Sequence, residues 1–103
     1  MSNEEEEKTK IEGALTLKRK RYYSSRYGNI YKGVFFYYKE KGDLKPRFVI
    51  SVSNLIIQTK EELGITQNVL SLIIKTPQES NHNHISLRFN SMREYTRWKD
   101  CFE

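Results

Sequence analysis

The hydrophobic period of this chain changes once, after Phe89. Before that point the apolar residues fall in short segments, in alternation or in brief runs, which is typical of β-strands. After it they recur at helical spacing, at Met92, Tyr95, Trp98 and Phe102. Ser91 and Glu94 have the spacing of a capping box. The sequence therefore predicts one amphipathic C-terminal helix that buries these four apolar side chains.

Seven short strand segments precede the helix. The strongest signal covers residues 30–38. This stretch contains the two-residue turn Lys32-Gly33 and so supplies two of the seven strands, paired as a hairpin. The others are 11–17, 48–52, 55–58, 69–74 and 85–89, with polar loops at 60–68 and 76–84, and residues 61–63 could form a helical turn. Strands followed by one helix predict a mainly β fold, a seven-stranded bent antiparallel sheet or partly open barrel capped at one end.

Composition limits the chain to one small domain. It has 103 residues, and seven Tyr and five Phe compensate for an apolar content of only 37%. Residues 1–10 hold four glutamates against two lysines, which predicts a disordered acidic lead-in before a domain over 11–103. Since the whole chain carries +5, the domain carries +7. Such a surplus attracts anionic bilayers, nucleic acid or acidic protein surfaces.

Cysteine content and hydropathy indicate a compartment. With Cys101 alone, no intrachain disulfide can form, and a reducing cytosol is favoured. No apolar run approaches the ~20 residues that span a bilayer, and the sequence contains no stretch with the pattern of a signal-peptide h-region. We expect a cytoplasmic monomer.

One basic run carries the functional interest of the sequence. Residues 18–26 contain five cations, two adjacent tyrosines and no acid, and they lie between strand segments, where a hairpin tip would project. The plain alternative is a solvated charged surface. The cations are Lys18, Arg19, Lys20, Arg21 and Arg26, and the tyrosines are Tyr22 and Tyr23.

The ordered set of segments resembles a pleckstrin-homology (PH) domain over nearly all of residues 11–103. Glu12-Gly13-Ala14-Leu15 is similar to the opening E-G-x-L of that family, and Arg26-Tyr27 followed by residues 33–39 resembles its second and third strands. Lys45-Pro46-Arg47 and Ile50-Ser51-Val52 are similar to the elements that follow. Phe89, Glu94 and Trp98 resemble the closing helix with its tryptophan.

The resemblance implies a binding site at the open end of the sheet, in the loops after the first and third strands. By position, the first loop supplies Lys18, Arg19, Lys20, Arg21 and Arg26, and the second supplies Lys39, Lys41, Lys45 and Arg47. Two features depart from the family. Ser24 stands where tight phosphoinositide binders carry a basic residue, and Gly28 and Asn29 replace apolar residues.

These observations predict a peripheral module that binds anionic phospholipid head groups, phosphatidic acid or phosphoinositides, at the cytosolic face of a membrane, with Tyr22 and Tyr23 at the interface. A protein-interaction module with little lipid binding is the alternative. Nucleic acid is disfavoured, because aromatic residues accompany the basic ones only at positions 22, 23 and 27. No catalytic set, cofactor or metal site is expected, and His82 and His84 are assigned to a solvated loop.

Overall fold

The described part of the chain folds into seven antiparallel strands in one sheet, followed by a C-terminal α-helix, with a 3-10 turn at Val52–Asn54. The computed structural model describes residues 10–67, 70–76 and 84–103. The elements are β1 Ile11–Lys18, β2 Tyr23–Tyr31, β3 Val34–Tyr38, β4 Phe48–Ser51, β5 Ile56–Thr59, β6 Ser71–Lys75, β7 Ile85–Arg88 and α1 Met92–Phe102. This confirms the predicted fold class. Residues 1–9 of the proposed lead-in, together with Val69 and His82, lie outside the described residues.

The sheet is bent and not closed. Its strand order is β4-β3-β2-β1-β7-β6-β5, so β4 and β5, which are consecutive in the chain, form the two edges. A flat sheet of this size would separate its edge strands by ~29 Å, at ~4.8 Å per strand. Ser51 and Ile56 are joined by a short connection that spans at most ~18 Å. The sheet must therefore curve until its edges approach each other.

The concave face of the sheet carries the hydrophobic core. Side chains alternate between the two faces of each strand, and cross-strand partners share a face. Ile11 pairs with Ile30 and Phe35 with Ile50, which brings apolar side chains of four strands onto one side. The buried core consists of Ile11, Leu15, Leu17, Ile30, Phe35, Tyr37, Leu72, Ile74, Ile85, Leu87, Phe89, Trp98 and Phe102.

Gly28 allows the helix to approach the sheet. It pairs with Gly13 and Tyr37 on the concave face, where Trp98 is 1% exposed. A β-carbon at position 28 would collide with the Leu15 side chain and would lie 3.4 Å from the Trp98 ring. The glycine that departs from the family pattern thus makes room for Leu15 and Trp98.

The helix begins and packs largely as the sequence predicts. The Ser91 hydroxyl accepts a hydrogen bond from the Glu94 amide at 3.2 Å, and Trp98 and Phe102 are buried. The Glu94 carboxylate pairs with Arg97 at 2.9 Å. The prediction that Met92 belongs to the buried face is wrong, because its side chain is 62% exposed. Side chains in a helix tilt toward its N-terminus. The side chain of Met92, the first helical residue, therefore points away from the turns that pack on the sheet.

The first two connections set the register of β1, β2 and β3. The hairpin tip is shorter than the sequence suggests, because Lys18 pairs with Tyr23 and only residues 19–22 form the loop. Ser24 and Arg26 therefore belong to β2. The Lys32-Gly33 turn is confirmed, with φ of 50° and 77°, as a two-residue hairpin turn requires.

Candidate functional site

Two loops emerge at the same end of the sheet, which we call the open end. Consecutive antiparallel strands reverse direction, so the β1–β2 loop (residues 19–22) and the β3–β4 loop (residues 39–47) lie together, and the β2–β3 turn lies at the other end. The start of β7 also lies near the open end, since Ser86 pairs with Lys18.

A cavity of about 420 Å³ opens at this end, on the concave side of β1 and β2. We call it the cationic cavity. Half of its described lining residues are cations and none is acidic, so the site favours an anion. Its size is within the ~300–1,000 Å³ typical of small-ligand pockets. The lining residues are Leu17, Arg19, Lys20, Arg21, Tyr22, Ser24, Arg26 and Tyr37.

The register of β1 and β2 places these side chains. Ser24 pairs with Leu17, and Arg26 pairs with Leu15. Both leucines belong to the core, so Ser24 and Arg26 face the same concave side. An Nη atom of Arg26 donates to the Ser25 carbonyl at 2.8 Å, so this bond uses one of the five N–H donors of the guanidinium.

Arg19 extends the site toward β4. Its guanidinium carbon lies 5.1 Å from the centroid of the Phe48 ring, and Phe48 stacks on Tyr37 with ring centroids 5.6 Å apart. A planar guanidinium over an aromatic face is a favourable contact that keeps the long side chain extended. The Tyr37–Phe48 pair therefore forms an aromatic support under the charged part of the cavity.

The basic run is divided between the two faces of the sheet. Lys18 does not line the cavity, because it alternates with Leu17 and lies on the convex face. Its ammonium lies 5.1 Å from the Tyr23 ring centroid, and the Arg88 guanidinium lies 4.2 Å from the same ring. Tyr23 is thus held on the convex face by two cations, apart from the loop tip.

The predicted cations of the β3–β4 loop lie around the open end without lining the cavity. All four are exposed, namely Lys39, Lys41, Lys45 and Arg47. The Lys41 ammonium lies 5.7 Å from the Tyr27 ring centroid on the convex side. Tyr27 donates a hydrogen bond to Glu12 at 3.0 Å, and this bond, with partial desolvation and the Glu12 charge, raises the Tyr27 pKa.

Sequence reasoning overlooked three residues at this end, namely Leu44, Ser24 and Tyr37. Leu44, in the β3–β4 loop, is 97% exposed, and Tyr22 is 79% exposed in the neighbouring loop, so two apolar surfaces project at the same end. Ser24 and Tyr37 line the cavity but were not singled out as binding residues. The period-two alternation from Arg26 would have placed Ser24 on its face.

The opposite end of the sheet has a different character. A second concavity of about 500 Å³ lies between the β2–β3 turn, residues 51–55 and the end of α1, and Asp100 and Glu103 are among its lining residues. Cys101 lies there too, and partial burial raises the pKa of its thiol. Among the described residues, no group of three or more potential metal ligands occurs and no helix is long and apolar enough to cross a bilayer.

The described residues thus form a bent antiparallel sheet with one C-terminal helix and a basic open end. The PH domain family model matches residues 9–103, nearly the whole chain. The chain belongs to the PH domain family, whose members are typically non-catalytic modules. A search of curated proteins found no match.

Solved structures agree with the family assignment. The PH domain of human KIAA0053 has a TM-score of 0.74 at 18% identity, covering 89% of this chain and 83% of that one. The Slm1 PH domain, solved with D-myo-inositol-4-phosphate, has 0.69 at 17%, covering 89% and 90%. The C-terminal PH domain of pleckstrin, solved with D-myo-Ins(1,2,3,5,6)P5, has 0.69 at 18%, covering 89% of each. At these identities, the likeness is one of fold.

Proposed function

We propose that this protein is a peripheral membrane module that binds a phosphorylated lipid head group in the cationic cavity. The observation that carries the proposal is the convergence of Arg19, Lys20, Arg21 and Arg26 on one cavity that has no described acidic residue in its lining. A phosphomonoester carries about −1.5 to −2 charge at neutral pH and accepts several charge-assisted hydrogen bonds. Arginine forks match that geometry.

The surface around the cavity supports a membrane-bound ligand. Tyr22 and Leu44 project from two loops at the same end as the cavity. When a head group enters the cavity, these side chains meet the interfacial region, where a tyrosine has both an apolar and a polar environment. The exposed cations Lys39, Lys41, Lys45 and Arg47, with the half-buried Lys18, add long-range attraction of ~1 kcal/mol each near an anionic leaflet.

Phosphatidic acid and phosphoinositides both carry a phosphomonoester. The proposed ligand is therefore a lipid of either kind. The related Slm1 and pleckstrin domains were solved with inositol phosphates, which favours a phosphoinositide as the ligand. Ser24, at the position where tight binders carry a cation, favours the smaller head group. We expect both to bind more tightly than phosphatidylserine at equal surface charge.

The test is co-sedimentation with vesicles of phosphatidylcholine alone or with added phosphatidic acid, a phosphoinositide or phosphatidylserine at matched total charge. The key variant is Arg19→Gln with Arg26→Gln, and the control is Lys10→Gln with Lys32→Gln, which removes the same charge at the Tyr31 end of the sheet. We expect a loss of about 50-fold for the first pair and about threefold for the second.

Each outcome decides the proposal. Preference for one phosphomonoester lipid, lost in the cavity variant only, supports it and identifies the head group. Binding that depends on total charge alone, with equal losses in both variants, would replace the cavity site by a diffuse electrostatic surface. If wild type binds no anionic vesicle at physiological salt, the proposal fails and a protein-interaction role takes its place.

A further inference from the structure

Ser24 occupies an unusual place in the cationic cavity. It is the second residue of β2 and pairs with Leu17, which is 4% exposed, so its side chain is on the concave face. It lines the cavity with all four of the converging cations. A neutral hydroxyl therefore lies among positive charges that have no described carboxylate beside them in the lining.

The residues before Ser24 suit a particular class of modifying enzyme. Arg21 and Arg19 precede it by three and five residues, Lys20 lies between them, and all three are exposed. A serine kinase whose peptide groove is lined with carboxylates would select arginines at such positions through bidentate ion pairs. Ser24 lies in the second pair from the open end of the β1–β2 ladder, and strand ends open at a lower free energy than strand centres.

We propose that Ser24 is a phosphorylation site whose phosphate occupies the cationic cavity and so excludes anionic head groups from it. A basophilic serine kinase transfers the terminal phosphoryl group of ATP. The bond from that phosphorus to the bridging oxygen breaks, a bond to Ser24 Oγ forms, the hydroxyl proton passes to the base of the kinase, and ADP leaves. The regulatory consequence rests on the function proposed above.

The electrostatic reason is local. The new group carries about −1.5 to −2 charge and three acceptor oxygens, and placed opposite an arginine cluster it forms charge-assisted hydrogen bonds. Because it is tethered, it competes with a head group at the high effective concentration of an intramolecular ligand. The cavity would then present neutralised arginines to a membrane.

Ser25 supplies a control within the same sequence. It pairs with Thr16 and lies on the convex face, since neighbouring side chains of a strand point to opposite faces. It is exposed, and a phosphate there adds the same charge without entering the cavity. A difference between the two positions therefore measures occupancy of the cavity, whereas an equal effect measures net charge.

The experiment compares the chain carrying phosphoserine at position 24 with the chain carrying it at position 25. A ³¹P NMR titration reports the phosphate directly, whether or not the protein binds lipid. We expect the phosphate at position 24 to titrate at lower pH than that at position 25, because the surrounding cations favour its dianion. Identical titrations would show that the phosphate does not enter the cavity and would overturn the proposal.

Vesicle binding then tests the switch. Using the phosphomonoester vesicles described above, we expect about a 30-fold or greater loss for the phosphate at position 24 and about threefold for position 25. If the chain phosphorylated at Ser24 binds vesicles as tightly as wild type does, the proposed switch is wrong. Absence of wild-type binding would instead refute the proposed function, and the NMR comparison would still decide whether the cavity holds the phosphate.

The kinase step has its own test. Wild type, Ser24→Ala and Ser25→Ala are incubated with ATP and an arginine-directed serine kinase, and the products are mapped by mass spectrometry. We expect the kinase to phosphorylate Ser24 in wild type and in Ser25→Ala. In Ser24→Ala we expect no phosphate at residue 24 or at Ser25. Modification of Ser24→Ala at the wild-type rate would show that the kinase uses another site.

Discussion

The same strand pair, β1 and β2, joins two very different regions of this protein. In the middle of the pair, Leu15 and Gly28 lie against Trp98 of the helix, in a packed apolar environment. Two residues from Gly28 toward the open end, Arg26 shares the face of Leu15 but lines the cationic cavity. The backbone is equally regular in both regions.

The comparison separates stability from binding. Where the helix covers the concave face, close packing makes each side chain costly to change. Where it does not, like charges lie close together and repel one another until an anion binds among them. Substitutions in the packed region should alter the free energy of unfolding, whereas substitutions at the open end should alter affinity. Four predictions test that separation, in order of decreasing effect.

The largest effect is expected for Trp98→Ala. The side chain is 1% exposed, and removing it leaves a cavity between the helix and the sheet, which should cost about 3–5 kcal/mol in free energy of unfolding. Urea denaturation measures the loss. Met92→Ala, on the same helix but exposed, should change stability by less than ~0.5 kcal/mol. Equal effects of the two substitutions would contradict the packing of α1.

Gly28→Ala should have the next largest effect. Its new methyl group would overlap the buried Leu15 side chain and force that side chain or the helix to shift, at a cost of about 1–3 kcal/mol. Gly13→Ala is the matched control, because Gly13 pairs with Gly28 and has nothing within 4 Å of the added carbon. Combining Gly28→Ala with Leu15→Ala should cost less than the sum of the single changes. Additive losses would argue against the contact.

A smaller effect, on affinity alone, is expected for Leu44→Ser. The side chain is 97% exposed at the open end, so removing it should leave stability unchanged and weaken binding to phosphomonoester vesicles about five- to tenfold. Val49→Ser removes an exposed apolar side chain from the convex face of β4 and should leave vesicle binding unchanged. Equal losses would mean that the open end is not the surface that meets the membrane.

The smallest effect concerns the Tyr27–Glu12 hydrogen bond on the convex face of the same strand pair. Because the Tyr27 pKa is raised in the folded protein, the contribution of this bond is fully present below the ordinary tyrosine pKa of ~10. It is lost as pH rises through the folded value. Urea denaturation between neutral and alkaline pH should show a slightly steeper loss for wild type than for Tyr27→Phe. Parallel curves would mean that the bond contributes nothing.

Much of the fold was predictable because burial imposes a period. The alternation of residues 11–17, the hairpin at Lys32-Gly33 and the helix after Ser91 all follow from side-chain patterns that only one local structure can bury. The exposure of Met92 was not predictable, since the helical period does not tell where the helix leaves the sheet. Nor was the role of Gly28, which depends on a tryptophan far away in sequence.

The site divides in the same way. The sequence by itself determined that the protein has a cluster of cations between its first two strands, and that its fold belongs to the PH family. Only the tertiary structure decided that Arg19, Arg21 and Arg26 share a cavity with Ser24 while Lys18 lies with Tyr23 and Arg88 on the other face. The physical reason is register. A loop that is one residue longer or shorter moves every side chain of the following strand to the opposite face.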